Sequence, residues 1–106
     1  LVMPAQHKAN LEDLSQGDFE ELHSVLRFTI KTLKKVYKCQ GLNVGLNLGA
    51  VAGAGIPDHL HYHVIPRWGG DTNFFPLIAK TKLVVEDHAT TIKRLGPYFK
   101  KAEGKL

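Results

Sequence analysis

With 106 residues, 43% of them hydrophobic, the chain carries enough apolar material for one small core and too little length for two full domains. Fourteen Lys and Arg against ten Asp and Glu leave a formal charge of +4, a mild basic excess without the charge blocks of a nucleic-acid-binding arm, so no nucleic acid is expected as a partner. No run of about eighteen apolar residues and no signal-peptide pattern is present, and the expectation is a soluble, cytoplasmic protein with no membrane partner.

Leu1-Val2-Met3 reads as the end of a strand closed by Pro4, followed by a polar connector through Gln6, His7, Lys8 and Asn10. A strand that opens at residue 1, in a chain that begins with Leu rather than Met, points to a longer natural protein. Ser15 is placed to cap a helix, with Asp18 three residues on as a weaker version of the capping-box acid. Phe19, Leu22, Leu26, Ile30, Leu33 and Tyr37 recur at helical spacing, and Lys31, Lys34, Lys35 and Lys38 gather toward the negative end of the helix dipole. The spacing predicts a helix over 16–38, stopped by Gly41. Cys39 stands alone, which excludes an intrachain disulfide and reads as a small, partly buried thiol rather than a nucleophile.

Residues 42–48 alternate without a slip, Leu42, Val44, Leu46 and Leu48 against Asn43, Gly45 and Asn47, and predict a strand. The run Gly49-Ala50-Val51-Ala52-Gly53-Ala54-Gly55 follows, small enough for backbone amides to approach a ligand, and Pro57 ends it. From His59 to Ile65 the period of two returns, with His59, His61 and His63 on one face and Leu60, Tyr62 and Val64 on the other, before Pro66 closes the strand. Arg67 to Lys80 reads as a long loop. A short strand over 81–85 and a short helix from Glu86 to Leu95 come next, with Gly96-Pro97 as the breaker and the Lys-rich end as a solvated tail.

Three imidazoles at i, i+2 and i+4 share one face of a strand, and half of the chain's six histidines lie there. A lone histidine such as His23 or His88 is ordinarily a satisfied core or surface residue. Two chemistries compete for the three-histidine face. Alternate imidazoles can ligate a metal, with Asp58 adjacent and His7 able to approach in the fold. A neutral imidazole can instead attack phosphorus while its neighbours donate hydrogen bonds to the charged oxygens. The small-residue loop favours the second, and an antiparallel return of the strand would bring Asn47 near the histidines, where its amide and the loop amides would cradle a phosphate. The loop alone is weak support, because it lacks the Gly-Lys-Ser/Thr ending of a P-loop.

His59-Leu60-His61-Tyr62-His63-Val64-Ile65 resembles the H-φ-H-φ-H-φ-φ signature, φ being apolar, of the histidine-triad (HIT) superfamily. Leu42 to Gly49 before it and Pro66 to Phe74 after it are similar to the bacterial branch of dinucleoside polyphosphate phosphorylases and hydrolases, acting on compounds such as diadenosine tetraphosphate. The resemblance implies that His61 is the nucleophile, that His63 contacts the phosphate and that His59 supports them. It implies phosphate or nucleotide contacts from Asn47, from the turn Gly53, Ala54, Gly55 and Ile56, and from Trp68. Many relatives carry Gln and Ser or Thr where this chain has Gly55 and Ile56, so contacts there would be backbone contacts or absent. The resemblance further implies a homodimer, no required cofactor, and Mg²⁺ at most on the polyphosphate substrate. Some relatives tie an upstream cysteine pair to histidines placed like His7 and His59. With neither cysteine in this sequence, no structural zinc is expected in it, whereas a longer natural chain with an upstream cysteine pair could hold zinc through His7 and His59.

The expected architecture is one α+β HIT-like domain over 1–106. An antiparallel sheet of about five strands packs on one long helix plus a short C-terminal helix and exposes its histidine face, with the family's first strands lying before Leu1. The expected activity is cleavage of dinucleoside polyphosphates through a nucleotidyl-histidine, released to phosphate or water. A slow-turnover nucleotide-binding or signalling module of the same fold is the alternative.

Overall fold

The computed structural model describes residues 1–53, 59–70 and 88–102. Ser15 has extended backbone, and its hydroxyl oxygen accepts from the Asp18 N–H at 3.1 Å, which starts helix α1, Gln16–Tyr37. Leu22 and Leu33 are buried on its inner face together with Thr29 and Thr32. Each threonine hydroxyl donates to the carbonyl four residues back, Val25 at 2.8 Å and Phe28 at 2.9 Å, so their burial leaves no orphaned group. The helix stops at Lys38, in left-handed backbone with φ 50°, rather than at Gly41. Lysine can take that conformation at a cost of about 1 kcal/mol. Gly41 is then left to open the next strand.

Strand β1, Gly41–Leu46, pairs antiparallel with β2, Tyr62–Arg67, in a register that sets Asn43 opposite Ile65, Gly45 opposite His63 and Leu46 opposite Tyr62. The strand expected over 42–48 thus ends two residues early. Instead of extending the ladder, the Asn47 amide donates to the Gly53 carbonyl at 3.2 Å, and Leu48 is exposed. Between them lies a 3₁₀ turn, Ala50–Ala52, flanked by Gly49 at φ 86° and Gly53 at φ 94°, conformations that favour glycine.

The triad strand also departs from its expected bounds: it starts at Tyr62 rather than His59 and runs through Pro66 instead of closing there. Val2 and Tyr62 exchange both backbone hydrogen bonds, Tyr62 N–H to Val2 O at 2.7 Å and Val2 N–H to Tyr62 O at 3.0 Å. By the period of two, the backbone nitrogens of Tyr62, Val64 and Pro66 all face away from β1. The N–H that proline lacks is therefore not one that β1 needs. The Val2 bridge continues the sheet on that side, as expected for the end of a strand at Leu1-Val2-Met3.

Val2, Leu22 and Leu60 form the core, with Leu11, Leu14, Val25, Leu26, Leu46, Tyr62 and Val64 packed around them. Full burial of a leucine side chain contributes about 2 kcal/mol, so the pattern Leu60, Tyr62, Val64 binds the triad strand to α1 and thereby turns its histidines the other way.

The C-terminal helix α2, His88–Ala102, contradicts the expected break at Gly96-Pro97 and the expected tail, since it continues through both residues. Tertiary packing offsets the lost backbone bond. The Phe99 ring meets Phe28 edge-on at 5.1 Å, Arg94 lies over Tyr37 at 4.1 Å, and the Arg94 guanidinium donates to the Val36 carbonyl at 3.1 Å. The sequence expectations for the strand over 81–85 and the loop beyond Gly70 fall outside the described residues. No helix among the described residues is long and apolar enough to cross a membrane.

Candidate active site

Residues opposite one another in an antiparallel pair share a face, so the register puts Gly41, Asn43 and Gly45 of β1 on the same face as His63, Ile65 and Arg67 of β2. Continued by one residue, it sets Asn47 opposite His61. The polar faces of the two strands coincide as the sequence pattern implied. The face is less open than expected, however: His61 is only 6% exposed and His63 is half-buried.

The ring of His61 stands edge-on to that of His63, centroids 4.9 Å apart. His61 Nδ1 lies 3.0 Å from the His59 carbonyl oxygen. A carbonyl only accepts, so Nδ1 carries the proton and the neutral ring has its lone pair on Nε2. Burial, and after it the charge of neighbouring His61, holds the pKa of His63 below the ordinary histidine value of 6.5. It is therefore a neutral N–H donor near pH 7.

His59 stands apart from this pair. Its Nε2 donates to the Pro4 carbonyl at 2.6 Å, and its ring lies 4.5 Å from that of His7. The two imidazoles are close enough to share an ion, but two ligands do not make the closed four-ligand site of structural zinc, and no group of three or more His, Cys, Asp or Glu suited to a metal occurs among the described residues.

Asn47 and Gly53 meet through their hydrogen bond at the His61 end of the strand pair. Trp68 and Arg67 lie at the other end, with Trp68 39% exposed and Arg67 donating to Asn43 Oδ1. Four residues of strand, about 13 Å, separate Arg67 from His63. The backbone of Trp68 therefore lies at the end of the strand pair away from Asn47 and Gly53. Ala54, Gly55 and Ile56 lie outside the described residues.

Two polar residues of this region were not singled out from the sequence. Tyr62, between the two catalytic candidates, directs its hydroxyl to His23 Nε2 at 2.8 Å, and His23 Nδ1 lies 2.8 Å from the Phe19 carbonyl. A phenol in an apolar position of the triad was the available signal. Its partner is 39 residues away and left none.

The HIT domain family model matches residues 1–70, the stretch that holds α1, both strands and all three triad histidines. The chain belongs to the HIT domain family. Over 84 residues this HIT chain is 43% identical to a Mycobacterium tuberculosis protein named AP-4-A phosphorylase, covering 79% of the chain and 43% of the relative. Over 71 residues it is 32% identical to the Schizosaccharomyces pombe asymmetrical bis(5'-nucleosyl)-tetraphosphatase, covering 67% of the chain and 38% of the relative. The chain thus spans less than half the length of either. Among solved structures, a histidine triad nucleotide-binding protein from Sulfolobus tokodaii superposes with a TM-score of 0.71 at 26% identity, covering 98% of this chain and 70% of the other. The Caenorhabditis elegans NitFhit protein shares the fold with a TM-score of 0.69 at 20% identity, covering 92% of this chain and 21% of the other.

Proposed function

We propose that this HIT domain cleaves dinucleoside polyphosphates such as diadenosine tetraphosphate by nucleotidyl transfer through His61. The observation that carries the reading is the hydrogen bond from His61 Nδ1 to the His59 carbonyl, which leaves the Nε2 lone pair as the nucleophile. Nε2 attacks an α-phosphorus, the N–P bond forms, and the bond to the bridging oxygen breaks with its electron pair leaving on the departing polyphosphate. The imidazole gains positive charge, and the His59 carbonyl on Nδ1–H stabilises it. In the second half phosphate or water attacks the same phosphorus and the N–P bond breaks. Each half inverts, so the whole reaction retains configuration.

His63 donates to a non-bridging oxygen, and the Asn47 side chain lines the anion's path at the His61 end of the strands together with the amides of Gly49, Ala50 and Val51, since those of Ala52 and Gly53 donate within the turn. Trp68 contacts the distal part of the substrate rather than the reacting phosphorus. Mg²⁺, where present, travels on the polyphosphate. The names of the M. tuberculosis and S. pombe relatives support this substrate class. A cytoplasmic homodimer is part of the same reading.

The test is covalent labelling. Diadenosine tetraphosphate mixed with the full chain and quenched in denaturant at high pH should yield an AMP adduct on the His61 peptide by mass spectrometry. An adduct on another residue, or turnover without any adduct, overturns the assignment.

A further inference from the structure

Tyr62 is the one residue between His61 and His63, and each of its polar groups is tied down. Its N–H and C=O bond to Val2 at 2.7 and 3.0 Å, and its hydroxyl meets His23 Nε2 at 2.8 Å. His23 is itself fixed. Its Nδ1 must donate to the Phe19 carbonyl 2.8 Å away, so Nε2 has the lone pair and the Tyr62 hydroxyl is the donor. The His23 ring packs on Phe19 at 4.2 Å and meets the edge of the Tyr62 ring at 5.5 Å. One chain of contacts thus runs from the backbone of α1, through His23, to the back of the triad strand.

Side chains alternate across a strand, so a hold on Tyr62 from behind fixes the tilt of both neighbouring histidines in front. We propose that the Tyr62–His23 hydrogen bond is a positioning latch that sets the direction of the His61 and His63 rings toward the reacting phosphorus. Core volume alone does not account for the pair, since a phenylalanine or a leucine would fill the position without placing a hydroxyl against an imidazole. Burial raises the Tyr62 pKa, in keeping with a phenol that stays protonated and donates. Tyr62 and His23 are positioning residues, because neither faces the substrate side of the sheet.

The latch rests on the proposed role of His61, and two separate readouts tell the two apart. In the full chain, long-range ¹⁵N–¹H spectra of the imidazoles need no activity: the wild type should have His23 protonated on Nδ1, and Tyr62→Phe should shift or broaden the His61 and His63 ring signals. In turnover of diadenosine tetraphosphate, Tyr62→Phe and His23→Leu should each lower kcat about tenfold with KM nearly unchanged, as expected of a small misplacement. The double variant should be no worse than either single one, because both remove one contact. His23→Gln, whose amide oxygen can accept from the phenol, should recover most of the rate. Unaltered His61 and His63 signals in Tyr62→Phe, or additive losses in the double variant, would overturn the latch. Absence of an adduct on His61 in the wild type overturns the function and leaves the spectra to decide the latch.

Discussion

His61 and His59 touch through unlike parts, the ring Nδ1 of one lying 3.0 Å from the backbone carbonyl of the other. The first triad histidine therefore serves the second with its main chain, while its own ring is engaged with Pro4. The peptide that carries this carbonyl is held by its own N–H, since Leu60 N–H donates to the Lys8 carbonyl at 2.8 Å, so the proton is kept on Nδ1 through both halves of the proposed reaction. This supports the covalent role of His61 more firmly than the three-histidine spacing does.

Replacing His61 with alanine is expected to lower turnover at least about a thousandfold, since a covalent nucleophile supplies several kcal/mol of barrier reduction. The fold should survive, because the core of Val2, Leu22 and Leu60 does not include His61, and circular dichroism should match the wild type. Residual activity within about tenfold of wild type would exclude His61 as the nucleophile.

The depressed pKa of His63 makes a pH prediction. A histidine whose folded pKa lies below its unfolded value binds fewer protons when folded, so its contribution is fully present above about pH 6.5 and is lost as pH falls through the folded value. The melting temperature should drop as pH falls below about 6.5, and His63→Gln should flatten that drop. Burial is the largest cause, with the charge on His61 and then that of the N-terminal amine after it, so His61→Gln should raise the pKa of His63 only part of the way back. Full recovery would reverse that order.

Much of this arrangement was legible because periodicity is a local property. The 3.6-residue spacing from Phe19 to Tyr37 and the alternation Leu60, Tyr62, Val64 each name a buried face without knowledge of what covers it. What was not legible depends on partners. Pro66 stays inside a strand because the N–H it lacks faces away from β1, which only the register reveals. Pro97 stays inside a helix because Phe99 and Arg94 find Phe28 and Tyr37 on a distant helix. His23 read as an ordinary histidine until Tyr62 was found against it.

Lys38 offers a test of backbone strain. Its φ of 50° is a conformation that glycine adopts without a Cβ clash, and Lys38→Gly should raise stability by about 1 kcal/mol, less the entropy glycine adds to the unfolded chain. Chemical denaturation checks this. A loss of stability would mean that the lysine side chain contributes more than its backbone costs.

His7 and His59 make a prediction about metal. Two imidazoles in reach of one another supply half of a closed zinc site, and with His59 Nε2 donating to Pro4 only its Nδ1 is available. Elemental analysis of the purified chain should find zinc well below one ion per chain. Stoichiometric zinc resistant to dialysis would show that other residues complete the site.

Phosphate, rather than water, is the expected acceptor in the second half-reaction. The run Trp68-Gly69-Gly70-Asp71-Thr72-Asn73 and the relative named a phosphorylase favour it, and the geometry narrows which groups can hold the incoming anion. Arg67, considered from sequence alone, is a natural candidate. Its guanidinium is already engaged, donating to Asn43 Oδ1, which the register sets opposite Ile65 in the middle of the face and away from the Asn47 and Gly53 end. Lys80, the other sequence candidate, falls outside the described residues. Among the described residues the amides of Gly49, Ala50 and Val51, which the turn's own hydrogen bonds do not use, are then expected to hold phosphate oxygens beside the nucleotidyl-histidine and raise their effective concentration above that of a diffusing ion. With labelled phosphate and diadenosine tetraphosphate, phosphorolysis places the label in ADP and hydrolysis yields unlabelled AMP. At millimolar phosphate ADP should dominate, and Arg67→Gln should leave the ratio of ADP to AMP unchanged even if it weakens substrate binding. A product that is mainly AMP would make water the acceptor, and a ratio that falls with Arg67→Gln would return the arginine to the second anion site.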